Sequence, residues 1–507
     1  MLATTLLALE SAGFGQVHYF PDGRPWNQKA PSGPDAVVPG WYYNLGITGI
    51  RVELREEHPE WLLVRYVFSG SPASDAVKID DWIIGANGAR FETPHRNGYG
   101  MDRFGADGPV RDFAEALEAS QGTEKKGRLS LRLRRGEEEI DVALNVSTRY
   151  GTFSPTFPMD CPKSDRILHE LCESLVAHQR PDGSWGSPPH DTFAPLALLG
   201  CGDPKYLPAV EKCVRFHART TKAVDESWLI NWRYMAAAIV MSEYYLWAQS
   251  GEGADRGERS PTIDAKWLLP ELQEVYDFLI SSQYIELSQV DEKTKKERPQ
   301  DLPKDALDSH GGWGHNPGFE GYGPICMLTG QGALAFALLS RCGIDVDRSR
   351  HDAAYAFIRR GTGPNGYTWY EDEVAGPQAW ADMGRTGAAG IANALSPYAE
   401  KKYGDAALKH ARVIGEHPAS FPDTHGSPIM GMAFAAVAAH LDPPSFRKLM
   451  DANRWWFTLA QCPDGTYYYQ PNRDNAGYGA DSRISASAAT AFILSLPKRG
   501  LVMTGRR

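Results

Sequence analysis

One phrase constrains this chain more than any other. Gln179-Arg-Pro-Asp-Gly-Ser-Trp185-Gly186 returns in altered form as Ser309-His-Gly-Gly-Trp-Gly314, Pro364-Asn-Gly-Tyr-Thr-Trp369 and Pro463-Asp-Gly-Thr-Tyr-Tyr468. Each copy follows a helical pattern and precedes a run of small and apolar residues. A Pro-Asp-Gly or Asn-Gly turn reverses the chain, and the aromatic residue after it carries a large apolar face to bury beside the next helix. Such punctuation at long spacing belongs to stacked helical hairpins, in which no single unit can bury its apolar face alone.

The helical periodicity fills out that reading. Ser164 is placed to cap a helix over 165–179, and further helices are expected at 193–199, 207–220, 228–249, 266–283, 322–342, 349–360, 386–403, 406–414, 429–440, 444–461 and 484–496. The number suits six hairpins joined by ordinary loops. The stretches 387–395, 431–439 and 484–491 are built of Gly, Ala and Ser, fit for a crowded inner barrel, whereas 207–220, 266–283 and 444–461 carry charge and suit an outer layer. The expected fold of residues 164–498 is an all-α (α/α)6 toroid, preceded by a turn-rich linker at 147–163.

Between residues 38 and 146 the pattern changes to alternation. Leu62-Leu-Val-Arg-Tyr-Val-Phe68 reads as a strand, Ile79-Asp-Asp-Trp-Ile-Ile-Gly-Ala-Asn-Gly88 as a strand ending in an Asn-Gly turn, 110–120 as a short amphipathic helix, and 127–146 as a hairpin turning at Arg135-Gly136. The run from Gly70-Ser-Pro-Ala to Ala86-Asn-Gly88, with Asn44-Leu-Gly-Ile-Thr-Gly49 upstream, resembles the core of PDZ domains. One departure is Asp80-Asp81 where the family has Gly-Asp. The resemblance implies a small, mainly-β domain in which the backbone N–H groups of Leu45, Gly46, Ile47 and Thr48 hold a peptide C-terminus while an edge strand accepts it by β-augmentation. The simpler alternative is a module that only packs against the helical domain.

The Gln179-to-Trp185 phrase resembles the repeat motif of terpenoid cyclases and a similar phrase of some toroidal polysaccharide lyases. The order of a PDZ-like module, Asp-Gly-Ser-Trp-Gly, a Trp232 to Leu246 helix and Gly-Gly-Trp-Gly-His resembles an uncharacterised bacterial family that joins a PDZ domain to a toroid. In such a ring the residues that start the inner helices converge on one mouth. That set comprises His190, Asp191, Asp225, Glu226, Asn231, His310, Trp313, His315, Asn316, Tyr322, Asp382, Arg385, His425, Asp474 and Tyr478.

Histidine suits proton transfer near neutral pH. His310, His315 and His425, with Tyr322 and Arg385 as partners, are the catalytic candidates, as in a lyase that removes a proton α to a uronate carboxylate. Asp225, Glu226, Asn231, Trp232, Trp313, Asp474 and Tyr478 are candidates for substrate binding, and Trp185 reads as a wedge between helices. A zinc site drawn from the three histidines with Cys326 or an aspartate is the metal alternative, but the spacing does not reproduce the Asp, Cys and His set of protein prenyltransferases. No metal and no cofactor are therefore expected. The acid motif of class II cyclases is absent, which demotes an isoprenoid or terpenoid reaction.

Composition removes other classes. A net charge of −10 without a clustered basic surface argues against nucleic acid. The basic run at Arg128 to Arg135 alternates with leucine and reads as a strand with one wet face. Seven cysteines are scattered with no Cys-x-x-Cys pair, so neither a disulfide framework nor a zinc ribbon is expected. No apolar stretch reaches the roughly 20 residues that span a bilayer. Residues 1–37 form an N-terminal segment whose first dozen residues read as the truncated end of a secretory signal or as a plain tail, the former pointing to a periplasmic or secreted protein. The functional expectation is a carbohydrate-active enzyme, lyase or glycoside hydrolase, with a glycan at the toroid and a peptide at the PDZ-like groove. A non-enzymatic envelope scaffold is the alternative from a different class.

Overall fold

The computed structural model of the protein describes residues 42–55, 57–95, 106–222, 229–250, 264–374, 382–422, 428–469 and 483–506. The N-terminal part is one antiparallel sheet of β1 (Tyr42–Asn44), β2 (Ile50–Glu53), β3 (Leu62–Val67), β4 (Trp82–Ala86), β5 (Ala89–Arg90), β6 (Arg128–Arg135) and β7 (Glu138–Asn145), in the order β1-β2-β3-β4-β6-β7 with β5 beside β4. Helix α1 (Pro109–Ser120) covers it and buries Val110, Phe113, Ala114 and Leu117. In β6 Leu129, Leu131 and Leu133 are fully buried while the arginines alternate outward, and Arg132 pairs with Asp141 across the β6–β7 hairpin. The Asp80-Asp81 turn forms without the expected glycine. Asp80 itself takes φ +69°, a region Asp tolerates, and Asp81 accepts hydrogen bonds from Lys78 N and from two nitrogens of Arg135.

Helical hairpins follow, each running from an outer to an inner helix. They are α2 (Pro162–Ala177) to α3 (Pro188–Cys201), α4 (Leu207–Thr220) to α5 (Ile230–Gln249), and α6 (Leu268–Ser282), through the short α7 (Glu292–Glu297), to α8 (Cys326–Arg341). The series continues with α9 (Arg348–Arg360) to α10 (Met383–Leu395), α11 (Lys401–Glu416) to α12 (Pro428–Ala439), and the pair α13 (Pro443–Ala452) and α14 (Arg454–Ala460) to α15 (Arg483–Ser495). The inner helices pack in the cycle α3-α5-α8-α10-α12-α15, and α15 returns to α3, so the ring is closed. Small residues permit that closure. The backbones of Gly384 and Gly431 meet so closely that a Cβ on Gly384 would lie 2.3 Å from the Gly431 Cα.

The repeated phrase is the joint between layers. Gly183, Gly311, Gly366 and Gly465 all take positive φ, and the first three back onto the carbonyls of Lys212, Ala353 and Lys409 on outer helices, leaving no room for a side chain. The preceding Asp182, Asn365 and Asp464 each accept a hydrogen bond from the backbone N–H two residues on. The aromatic that follows reaches back to an outer-helix carbonyl: Trp185 to Leu175, Trp313 to Leu279, Tyr467 to Phe457. Gln179 and Gln283 bridge their own phrase to the next outer helix, donating to Gly183 and Ala209 and to Gly311 and Arg350.

Several expected elements shift. Helix α2 begins at Pro162, so Ser164 lies inside the first turn rather than capping it. The helix expected over 444–461 breaks at Asn453, whose amide donates to Pro418 and Leu449 carbonyls, and 386–403 divides into α10 and the start of α11. The chain end also folds back, with Val502 and Met503 N–H groups donating to the buried Glu243 carboxylate of α5.

The sheet module is welded to the toroid, which corrects the peptide-groove expectation. Leu45, Gly46, Ile47 and Thr48 are all buried, and a Cβ on Gly46 would lie 2.8 Å from the Thr458 carbonyl of α14. Asn44 donates to the Leu459 and Gln461 carbonyls, and Arg51 lies 3.5 Å over the Tyr468 ring. The strand after the loop, β2, has both edges occupied, by β1 and β3. Neither a free carboxylate loop nor a free strand edge is left there for a peptide.

Candidate active site at the toroid mouth

The starts of several inner helices touch at one end of the ring. Asn231 of α5 donates to the Gly314 and Asn316 carbonyls just before α8, the first N–H of α8 at Cys326 donates to the Tyr370 carbonyl before α10, and His190 of α3 meets Ser485 of α15.

One chain of side chains crosses this mouth. The Trp232 indole N–H donates to His315 Nδ1 at 2.8 Å, His315 Nε2 lies 2.5 Å from the Tyr322 hydroxyl, and the Tyr370 hydroxyl donates to the same Tyr322 oxygen at 3.0 Å. An indole nitrogen can only donate, so Nδ1 of His315 is the lone-pair nitrogen and the neutral ring carries its proton on Nε2. Burial lowers the His315 pKa and keeps the ring neutral. Nε2–H therefore donates to Tyr322, whose oxygen receives two hydrogen bonds and whose own proton remains available. Burial, reinforced by Tyr322, pushes the Tyr370 phenol well up. Tyr370 thus stays a donor.

Arg385 stands behind Tyr370, its guanidinium carbon 5.6 Å from the ring centroid. It donates to the Tyr367 hydroxyl at 3.2 Å and pairs with Asp382 at 3.4 Å. Burial opposes its charge, but Asp382 and Tyr367 hold its pKa above the usual value.

His315 and Tyr322 line a cleft of about 280 Å³ whose other wall comes from the insert after α6, including Lys293, Thr294, Glu297 and Arg298 of and beside α7. That insert packs against the site: Thr294 accepts from Gly321 N–H, and Tyr284, Val290 and Phe319 form their own apolar cluster.

Other candidates fall elsewhere. His310 is not part of the cluster. Its carbonyl is pinned by Arg360, and its ring lies by Arg360 and Arg350 on the α9 side, where burial and those charges lower its pKa. Trp313 is fully buried against Leu279, and Asn231 is spent on the loop before α8, so both position the site instead of facing a substrate. Trp232 is half-buried and acts on His315. Asp225, Glu226, His425, Asp474 and Tyr478 lie outside the described residues. Among the described residues no group of three or more His, Cys, Asp or Glu side chains is placed to hold a metal, and Cys326 is buried with its thiol on the Glu371 carbonyl. Tyr370 was missed by sequence reasoning. Its signal was its place directly after Trp369, where the repeated phrase delivers the chain to the mouth.

The chain belongs to the family described as "Domain of unknown function (DUF6288)", which it matches over residues 164–251 and 300–505. No curated protein matches it. Among solved structures it is similar to the alpha-1,6-mannanase GH76A of Salegentibacter sp. HEL1_6, with a TM-score of 0.44 and 11% identity over 66% of this chain and 98% of that one. An inactive variant of the same mannanase in complex with alpha-1,6-mannotriose gives a TM-score of 0.44 and 12% identity over 66% and 99%.

Proposed function

We propose that this DUF6288 member is a carbohydrate-active enzyme that cleaves an acidic polysaccharide at the toroid mouth by proton transfer through Tyr322. The observation that carries the reading is the Tyr322 oxygen, which accepts hydrogen bonds from both His315 and Tyr370. Two donors aimed at one phenol oxygen can stabilise negative charge that develops there during proton transfer. The Arg385 charge behind Tyr370 polarises one of those donors. The phenolate takes the proton from the carbon α to a uronate carboxylate. The β carbon–oxygen bond then breaks, and the phenol returns the proton to the leaving sugar oxygen. Lys293 and Arg298 on the opposite wall supply positive charge for the carboxylate. A polymer substrate of this size goes with a periplasmic or secreted place of action.

The test is a panel of acidic and neutral polysaccharides incubated with wild type and Tyr322→Phe, following new reducing ends and the ultraviolet absorbance of the new double bond. Elimination predicts both signals on an acidic polymer, with Tyr322→Phe slower by roughly 10²–10⁴. New ends without absorbance would replace elimination by hydrolysis, and silence from the folded protein across the panel would end the carbohydrate reading.

A further inference from the structure

A second pair of reactive groups lies elsewhere on the same mouth, at the junction of α3 and α15. The Nε2 atom of His190 is hydrogen-bonded to the Ser485 hydroxyl, and its Nδ1 lies 3.2 Å from the Trp185 carbonyl. A carbonyl can only accept, so Nδ1 carries the proton and the Nε2 lone pair faces the serine. The Trp185 peptide is itself fixed from its other side. Its N–H donates to the buried carboxylate of Asp191, one residue after the histidine. The sequence Asp191, Trp185 peptide, His190, Ser485 thus sets both the tautomer and the direction of the imidazole. Its logic is that of an oriented base beside a hydroxyl nucleophile, with a peptide group standing between carboxylate and histidine.

The surroundings suit that chemistry. Ser485 is 4% exposed, and His190 is half-buried. Ser485 sits in the first turn of α15, which begins at Arg483, so the positive end of the helix dipole favours a developing oxyanion. Burial lowers the His190 pKa, so the ring is a neutral acceptor at physiological pH.

We propose that Ser485 and His190 form a nucleophile and general base that transfer the acyl group of a carboxylic ester to water. His190 Nε2 takes the Ser485 proton as Oγ bonds to the acyl carbon. The ester oxygen leaves with that proton from His190, and a water molecule, deprotonated by the same nitrogen, releases the acid and restores the serine. This centre shares no residue with the Tyr322 cluster, and its test does not depend on the polysaccharide reading.

The experiment treats the full-length folded protein with a fluorophosphonate probe and maps the adduct by peptide mass spectrometry, with 4-nitrophenyl acetate turnover in parallel. A single phosphonyl group on Ser485 is expected, absent in Ser485→Ala and slowed by roughly 10²-fold or more in His190→Gln. Melting curves establish that both variants are folded. Heat-unfolded wild type, in which the pair is separated, provides a check that needs no variant and is expected to remain unlabelled. Absence of an adduct on native Ser485, an unchanged rate in His190→Gln, or equal labelling of the unfolded chain would overturn the assignment.

Discussion

Replacing Glu118 by alanine should cost this protein about 3 kcal/mol, the low end of the range for breaking a buried ion pair. Glu118 lies on α1, yet its carboxylate ties three other segments together. Oε2 accepts from Lys163 Nζ of α2 at 2.5 Å and from the Thr458 hydroxyl of α14 at 3.2 Å, and Oε1 accepts from the Phe153 N–H at 2.5 Å. Lys163 is 1% exposed and otherwise has Gln121 Oε1 at 2.9 Å and the Phe153 ring at 4.3 Å. The substitution strands an ammonium in the interior. Burial already lowers the Lys163 pKa, so in the variant the amine sheds its proton, which holds the loss to the low end.

That argument fixes a sign. With the folded pKa of Lys163 depressed further below its unfolded value, the unfolded state binds more protons, and the variant's deficit should shrink as pH rises. Urea unfolding at several pH values measures both the loss and its slope. Adding Lys163→Met to Glu118→Ala should recover much of the stability, since a packed apolar pair commonly matches a buried salt bridge. A loss under about 1 kcal/mol at neutral pH, or no recovery in the double variant, would refute the claim that this pair holds the sheet module to the toroid.

Three further outcomes are expected. Tyr370→Phe should lower turnover by about tenfold, the worth of one hydrogen bond to the Tyr322 oxygen, with KM little changed in steady-state assays. Glu243 has its carboxyl raised from 4.5 to about 7 by burial, against two opposing backbone N–H bonds. Its stabilising contribution is therefore complete below pH 4.5 and lost as pH rises through 7, about 3 kcal/mol in all, and thermal melting of Glu243→Gln should show that slope removed. Peptides with free C-termini should show no saturable anisotropy change at the Leu45 to Thr48 loop, and binding competed by a terminal carboxylate would contradict the closed groove.

The architecture was legible because its punctuation is chemical. A positive-φ glycine with a large aromatic after it recurs at four places, and three of the four have an Asp or Asn before the glycine, all of it readable in the sequence. The inner and outer assignments followed from helix composition, since only Gly, Ala and Ser let backbones approach as Gly384 and Gly431 do. What could not be read was docking between distant segments. Nothing near Gly46 in sequence says that Thr458 lies against it, so a loop with PDZ-like residues gave no sign that α14 and β1 close it.

The site was legible as a location but not as a set of roles. Spacing placed His315, Tyr322 and Arg385 at the mouth because each precedes or opens an inner helix. It placed His310 there too, although four residues of glycine-rich turn between His310 and His315 suffice to send one ring to α9 and the other to the mouth. Trp232 shows why roles need geometry. As an exposed aromatic it would have stacked on a sugar, but its indole N–H instead fixes which nitrogen of His315 bears the proton. That single donor decides the direction of the hydrogen bond from His315 onto Tyr322. Reversing it, as Trp232→Phe would by freeing His315 to take the other tautomer, leaves the residues in place and removes one of the two donors on which the proposed acid–base role of Tyr322 rests.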